Sequence, residues 1–374
     1  MKNGKVVIIG GGLAGLTAAI HLVSSGIQVT LIEKESFPHH KVCGEYLSRE
    51  CLPYLQRLGI DVLSLQPSLL NKFSFSTASG RTINSSLELR GLGISRYNLD
   101  YYLFKKAKDL GVIILQDTAI DIQFMGSGFK VKTHQEYNFE ADFVLGAFGK
   151  RSNIDKNLNR DFITNKSGWL AIKSHYVHDD FPDDTVALHN FKGGYCGISK
   201  TETEAINVCY LATYKSFKEF KNPSKYKEEV LCENPHLRSF FNSATSLFDK
   251  ELSIAQISFT KKSLIYDHIL MLGDASGLIH PLCGNGMAMA IHSAKIASES
   301  ILYFYTSAKS KREDVEKSYR EQWLNEFSSR LRTGRVLQKI FLNPGMAEVS
   351  QSFIKAFPGL LPKIINKTHG SPIL

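Results

Sequence analysis

Tryptophan and paired cysteine are what this sequence is short of. Its 374 residues hold two tryptophans, Trp169 and Trp323, and six cysteines, none in a Cys-x-x-Cys pair. The missing pair removes the ligand spacing of zinc ribbons and of thioredoxin-like redox motifs. The cysteine spacings do not resemble a disulfide framework either, so a reducing, cytoplasmic setting is expected. There is no Gly-x-Ser-x-Gly elbow and no Walker A loop, which leaves hydrolase and nucleotide triphosphatase chemistry without support. No apolar run is long enough to span a bilayer. Residues 6–32 lack Asp, Glu, Lys and Arg, but Gly10, Gly11, Gly12, His21, Ser24, Ser25 and Gln28 interrupt them. A spanning helix needs about 20 mostly apolar residues. No small-residue cleavage site follows, as a signal peptide would require.

What is present fits a folded enzyme-sized chain. The 43% hydrophobic and 22% charged fractions are those of a globular protein rather than a disordered one. At about 150 residues per domain, the length predicts two or three domains. The net charge of +9 is too modest to indicate nucleic acid, and none is expected as a partner. Its distribution says more. From residue 327 to the end there are seven Lys/Arg against one acid, and apolar Met346, Val349, Phe353 and Phe357 stand at helical spacing. A basic amphipathic tail of this kind can cap the fold, lie peripherally on an anionic membrane or dock an acidic carrier protein.

The N-terminus carries the first chemical motif. An apolar strand over 5–9 leads into Gly10-Gly11-Gly12-Leu13-Ala14-Gly15, then a helix to about Ser25, a stop at Gly26 and a second strand over 28–33. This is the first βαβ half of a dinucleotide fold. Its glycines allow a tight turn, close approach of backbone to a pyrophosphate, and helix–strand packing. The free N–H groups of the helix start favour the anion. Glu33, followed by Lys34, ends the second strand, where a carboxylate can accept a ribose hydroxyl.

Further along, 73–77 and 81–85 predict a hairpin, and 96–110 a helix. A buried strand is expected over 112–115, a small meander over 120–139 and another buried strand over 141–147. Two more glycine-rich stretches follow strands: Gly146-Ala147-Phe148-Gly149-Lys150-Arg151-Ser152, and Gly273-Asp274-Ala275-Ser276-Gly277 continuing to Gly286. A helix with Met287, Ala290, Ile291, Ala294, Ala297 and Ile301 on one face then leads to a charged helix around 312–335.

Together the motifs at 10–15, 146–152 and 273–286 resemble the FAD-dependent oxidoreductases of the para-hydroxybenzoate hydroxylase fold, over roughly residues 1–300. These include group A flavin monooxygenases, flavin halogenases and geranylgeranyl reductases. The resemblance implies an α/β fold with a Rossmann-like FAD-binding domain of the glutathione-reductase type. The FAD domain would be discontinuous (1–70, 95–165 and 263–308), with an inserted α+β substrate domain (71–94 and 166–262) and C-terminal helices (309–374). It implies FAD held by Gly10, Gly12, Leu13, Ala14, Gly15, Glu33, Lys34, Gly44, Glu45, Arg96, Ala119, Asp274, Gly284, Gly286 and Met287. Cys43, in Cys43-Gly44-Glu45, and Tyr195, in Gly193-Gly194-Tyr195-Cys196-Gly197, would wall the reacting face, and His280 would serve as acid or base. No metal is expected: His39, His40 and Cys43 alone fall short of a site.

Two departures matter. Phe148 stands where many members carry Asp. The halogenase Trp-x-Trp-x-Ile-Pro motif is absent, so chlorination and bromination are not expected. The resemblance therefore implies an NAD(P)H-dependent monooxygenase that hydroxylates a lipophilic aromatic or polyketide-like small molecule through a C4a-peroxyflavin. The alternative is a geranylgeranyl reductase-like enzyme that saturates isoprenoid C=C bonds with reduced FAD. A non-catalytic flavin-binding protein is the remaining class.

Overall fold

The computed structural model describes residues 4–164 and 167–374. Two large sheets build the fold. In the first, strand order is Ile265–Tyr266, Ile269–Met271, Phe143–Gly146, Lys5–Ile9, Gln28–Glu33 and Ile113–Gln116. All neighbours are parallel except the Ile265–Tyr266 edge pair. The sheet's central strands Phe143–Gly146 and Ile269–Met271, and Val6–Ile9 of the first strand, are apolar and buried, as strands covered on both faces are. Along Lys5–Ile9 the alternation sends Val6 and Ile8 into one hydrophobic cluster and Val7 and Ile9 into another. Helix α1 (Leu13–Ser24) belongs to the first cluster. The three-stranded meander Ala119–Phe124, Phe129–Thr133 and Asn138–Ala141 covers the other face.

Helix α2 (Arg96–Asp109) starts where Ser95 caps it, the hydroxyl accepting the Asn98 N–H at 3.1 Å. Three later helices complete the chain's framework: α3 (Gly286–Thr306), α4 (Arg312–Leu342) and α5 (Pro344–Ala356), followed by the short α6 (Leu360–Thr368). Gly334 lets α4 pass close over the preceding loop. A Cβ there would lie 3.1 Å from Cys283 Sγ and 3.5 Å from His280, so α4 continues past the expected stop near 335.

The second sheet is mainly antiparallel. It joins Trp169–Val177, Ile206–Thr213, Gly194–Lys200 and Thr185–Phe191 to Ser68–Ser76, Thr82–Gly93 and Tyr46–Ser48. The hairpin expected over 73–77 and 81–85 is longer, running over Ser68–Ser76 and Thr82–Gly93, and the sheet also recruits Tyr46–Ser48. A register shift between Leu70 and Lys72 breaks the alternation that would have revealed the longer strand. The boundary drawn between 165 and 166 lies outside the described residues. Among the described residues, no helix is long and apolar enough to cross a membrane.

Candidate functional site

The three glycine motifs converge at the carboxyl ends of the first sheet, where open α/β sheets place their ligands. Gly10 has φ +105°, and a Cβ on it would sit 2.4 Å from the Ala147 carbonyl oxygen. A Cβ on Gly15 would sit 1.9 Å from the Gly10 carbonyl oxygen. Ala147 N–H donates to Ile9 O at 2.8 Å, and Leu272 N–H to Gly146 O at 2.9 Å. Gly273 comes within 3.2 Å of Ala14 by the same Cβ measure. Phe148 fills space beside Gly146 by packing.

At the start of α1 the cap is Gly12, with no side-chain hydrogen bond. The first-turn N–H groups are left to a ligand. Glu33 lies beside them: its carboxylate accepts the Gly11 N–H at 2.6 Å and the Glu35 N–H at 3.0 Å. Lys34 is exposed and pairs with Glu35 at 3.2 Å. Ala119 is buried in the meander, just beyond the strand that flanks Glu33.

Cations gather around this cradle. Arg96 reaches within 3.6 Å of where a Gly12 Cβ would stand. It is held by Asp100 through two bonds of 2.7 Å, and Lys41 meets the same carboxylate at 3.0 Å. Burial pushes the Asp100 carboxyl up, but Arg96 and Lys41 outweigh that and hold it below the usual range. Lys150 pairs with Asp274 at 3.5 Å. Lys262 donates to the Lys150 and Asp274 carbonyls at 2.8 Å each. Its ammonium is lowered to about 8, chiefly by burial. A glycine turn closed to a Cβ at Gly10 and Gly15, a free helix start, a carboxylate at the adjacent strand end and this cationic rim fit a dinucleotide with its pyrophosphate.

Glu45 is fully buried and sits at φ +52°, a region non-glycine residues rarely occupy. Its carboxylate accepts the Arg96 N–H at 2.8 Å and Lys173 Nζ at 2.5 Å, and meets His175 Nε2 at 2.7 Å. Burial pushes its pKa up, yet the bonds to His175 and Lys173 hold it below the ordinary carboxyl value. These contacts consume the carboxylate, so Glu45 fixes the loop rather than offering itself to a cofactor. Lys173 and His175 went unread in the sequence. A lysine in the middle of the buried strand Trp169–Val177 was the available signal. His40, Glu45 and His175 bring ligand atoms within 4.8 Å of one another, but Lys173 already balances the charge at Glu45.

Beside this hub lies an apolar chamber. The second sheet contributes Phe73, Phe75, Ile83 and Leu188, and the loops contribute Gly44, Leu282, Cys283 and Gly284. Leu337, Phe341, Ile354, Leu361 and Ile365 of α4, α5 and α6 roof it. Gly284 has φ +65° and packs on Tyr46, and Gly286 and Met287 open α3, which has no side-chain cap. The roof is tied down through buried Glu50, which meets Arg330 at 3.1 Å and accepts the Gly370 N–H at 2.5 Å.

The three residues expected to do chemistry fall differently. His280 does not line the chamber. It stacks on Phe259 at 3.9 Å, and burial lowers it to about 3. Tyr195 is buried, and its hydroxyl accepts the Leu282 N–H at 3.2 Å, which positions the loop. Cys43 Sγ accepts the Glu45 N–H at 3.4 Å and does not line the chamber. His369, which no sequence motif singles out, does line it. Its Nδ1 lies 2.9 Å from the Ile365 carbonyl, which can only accept, so Nδ1 carries the proton. Nε2 is then an acceptor, and it has no partner among the described residues.

A family model described as an FAD binding domain matches residues 3–325. The chain belongs to the FAD-binding domain family. It is a FAD-dependent oxidoreductase of the para-hydroxybenzoate hydroxylase-like fold. Similar proteins include conditioned medium factor receptor 1 of Dictyostelium discoideum, 24% identical, with 86% of this chain and 68% of that protein aligned. Another is a 1H-pyrrole-2-carbonyl-[peptidyl-carrier protein] chlorinase of Pseudomonas fluorescens, 25% identical, with 79% and 75% aligned. Among solved structures, the flavin-dependent brominase Bmp2 superposes with TM-score 0.80 at 20% identity, over 98% of this chain and 93% of that one. At that identity the likeness speaks for the fold.

Proposed function

We propose that this FAD-binding family member is an NAD(P)H-dependent monooxygenase acting on a lipophilic aromatic compound that carries a hydroxyl. One observation carries the reading: an apolar chamber walled by the second sheet, the loop at 281–284 and the C-terminal helices, with His369 in its wall, whose buried Nε2 has no partner among the described residues. Bound FAD supplies the electron transfer and oxygen activation. The chain's own residues do the rest. Phe73, Phe75, Leu188 and Phe341 exclude water and bury the substrate's apolar body. Burial holds the His369 ring below its usual pKa, so at neutral pH it is uncharged and its Nε2 can take a hydrogen bond or proton from a substrate hydroxyl. The free start of α3 offers N–H groups to negative charge on the reduced cofactor.

A second reading, saturation of isoprenoid C=C bonds, is favoured by Cys283. Cys283 is in the chamber wall next to Gly284, and burial pushes its thiol up to about 12, so it stays protonated as an S–H beside the apolar space.

Mass analysis of products from FAD-loaded protein, NAD(P)H and a panel of alkylphenols and polyprenols separates the two. The monooxygenase puts one atom of isotopically labelled O2 into a phenol and stops without air. The reductase adds two hydrogens to a polyprenol and runs anaerobically. Incorporation of added chloride or bromide would contradict both and indicate the halogenation named for the Pseudomonas relative.

A further inference from the structure

Helix α5 has more apolar surface than its packing uses. Ala347, Gln351 and Ile354 face inward, and Ile354 lines the chamber. A separate stripe at intervals of three and four residues faces outward. Met346 is 48% exposed, Val349 71%, Phe353 57% and Phe357, just past the helix, 55%. The two phenylalanine rings pack against each other with centroids 4.9 Å apart and planes tilted by 51°. A surface helix of a globular protein normally confines its apolar residues to the face turned to the core. Here the chamber's roof is apolar on the inside and on the outside.

From residue 339 to the end the chain's side-chain charge is predominantly cationic. Lys339, Lys355, Lys363 and Lys367 are exposed on α4, α5 and α6. The acid of the segment, Glu348, is engaged by Ser79 at 2.6 Å and Arg81 at 3.4 Å. We infer that the outer face of this roof seats on an anionic lipid bilayer, with Phe353 and Phe357 inserted among the acyl chains and the lysines at the phosphates. An interfacial helix needs this combination of an exposed apolar stripe and a cationic rim. An acidic protein would satisfy the lysines but would leave four apolar side chains without a stated partner. The bilayer satisfies both, and it holds lipophilic compounds one helix thickness away from the chamber. The inference does not depend on which reaction the chamber performs.

The test is co-sedimentation of the FAD-loaded full chain with vesicles of phosphatidylcholine, with and without phosphatidylserine. Wild type should pellet with the serine-containing vesicles and be partly released by high salt. Phe353→Ser with Phe357→Ser should bind at least about tenfold more weakly, because both rings lose their apolar transfer into the bilayer. Both side chains are exposed, and an unchanged flavin spectrum checks that the variant is folded. A Lys363→Glu, Lys367→Glu variant should lose the preference for phosphatidylserine. Equal pelleting of wild type and the phenylalanine variant would overturn the inference. So would failure of wild type to bind any vesicle, including the case in which an acidic carrier protein binds instead.

Discussion

At the scale of single residues, the cradle makes the sharpest prediction. The Cβ of Gly15→Ala would meet the Gly10 carbonyl at 1.9 Å, and backbone cannot yield that distance cheaply. The variant should purify without flavin absorbance and take up no added FAD, while wild type binds it. The buried Glu45 hub predicts a stability effect. Removing its charge partner with Lys173→Met should destabilise the fold by about 3–5 kcal/mol in chemical denaturation. His369→Ala should weaken a phenol-bearing ligand by up to roughly tenfold and leave its deoxy analogue unaffected. Because burial lowers the His369 pKa, the acid limb of activity should fall below pH 6.5 if the neutral ring is the working form. The glycines and Glu33 were legible because their roles are set within 25 residues by a fixed spacing. Lys173 and His175 were not, because they meet Glu45 across 128 and 130 residues. The sequence itself holds no spacing that reports such a contact.

At the scale of elements, periodicity found most helices and the buried strands of the first sheet. It missed features that depend on a neighbour. The bulge at Leu70/Lys72 hid the start of a strand. Gly334, inside the helix, serves α4 as a point of close approach to Cys283 and His280. The tail's role as a roof also depends on a remote partner: Glu50 holds Arg330, the Gly370 N–H and, through its carbonyl, the Ile373 N–H at 2.8 Å. Glu50→Ala leaves Arg330 only the longer contact to Glu326 at 3.5 Å and removes the carboxylate that holds the Gly370 N–H. Limited proteolysis should then cut between 343 and 374 faster than in wild type, with the first sheet remaining protected.

At the scale of the whole molecule, the two-sheet plan followed from the order of motifs, whereas closure of the chamber by the C-terminal helices did not. The tail could be read as basic and amphipathic, but its inner face acquires meaning only against Phe75 and Leu188. The protein's pH response is also a property of the whole. Burial lowers His21, His40 and His292 to about 4, and His189 and His280 to about 3, from an ordinary 6.5. The unfolded chain takes up these protons below pH 6.5, while the folded chain holds the rings neutral until near pH 4. Stability should therefore be flat above pH 6.5 with respect to these groups and fall as pH drops from 6.5 towards 4. A melting-temperature series across that range checks it.

In the proposed enzyme the apolar chamber lies against the flavin bound in the glycine cradle. The most direct measurement is the flavin absorbance of FAD-loaded protein titrated with a lipophilic phenol, in wild type and in Gly197→Leu. Gly197 lines the chamber, and a Cβ there meets only Cys209 O at 3.8 Å, so the leucine enters open space and fills it. Wild type should show a saturable shift of the flavin bands that the variant loses while keeping its FAD. A wild-type spectrum indifferent to the phenol, or an equal shift in both proteins, would contradict the account.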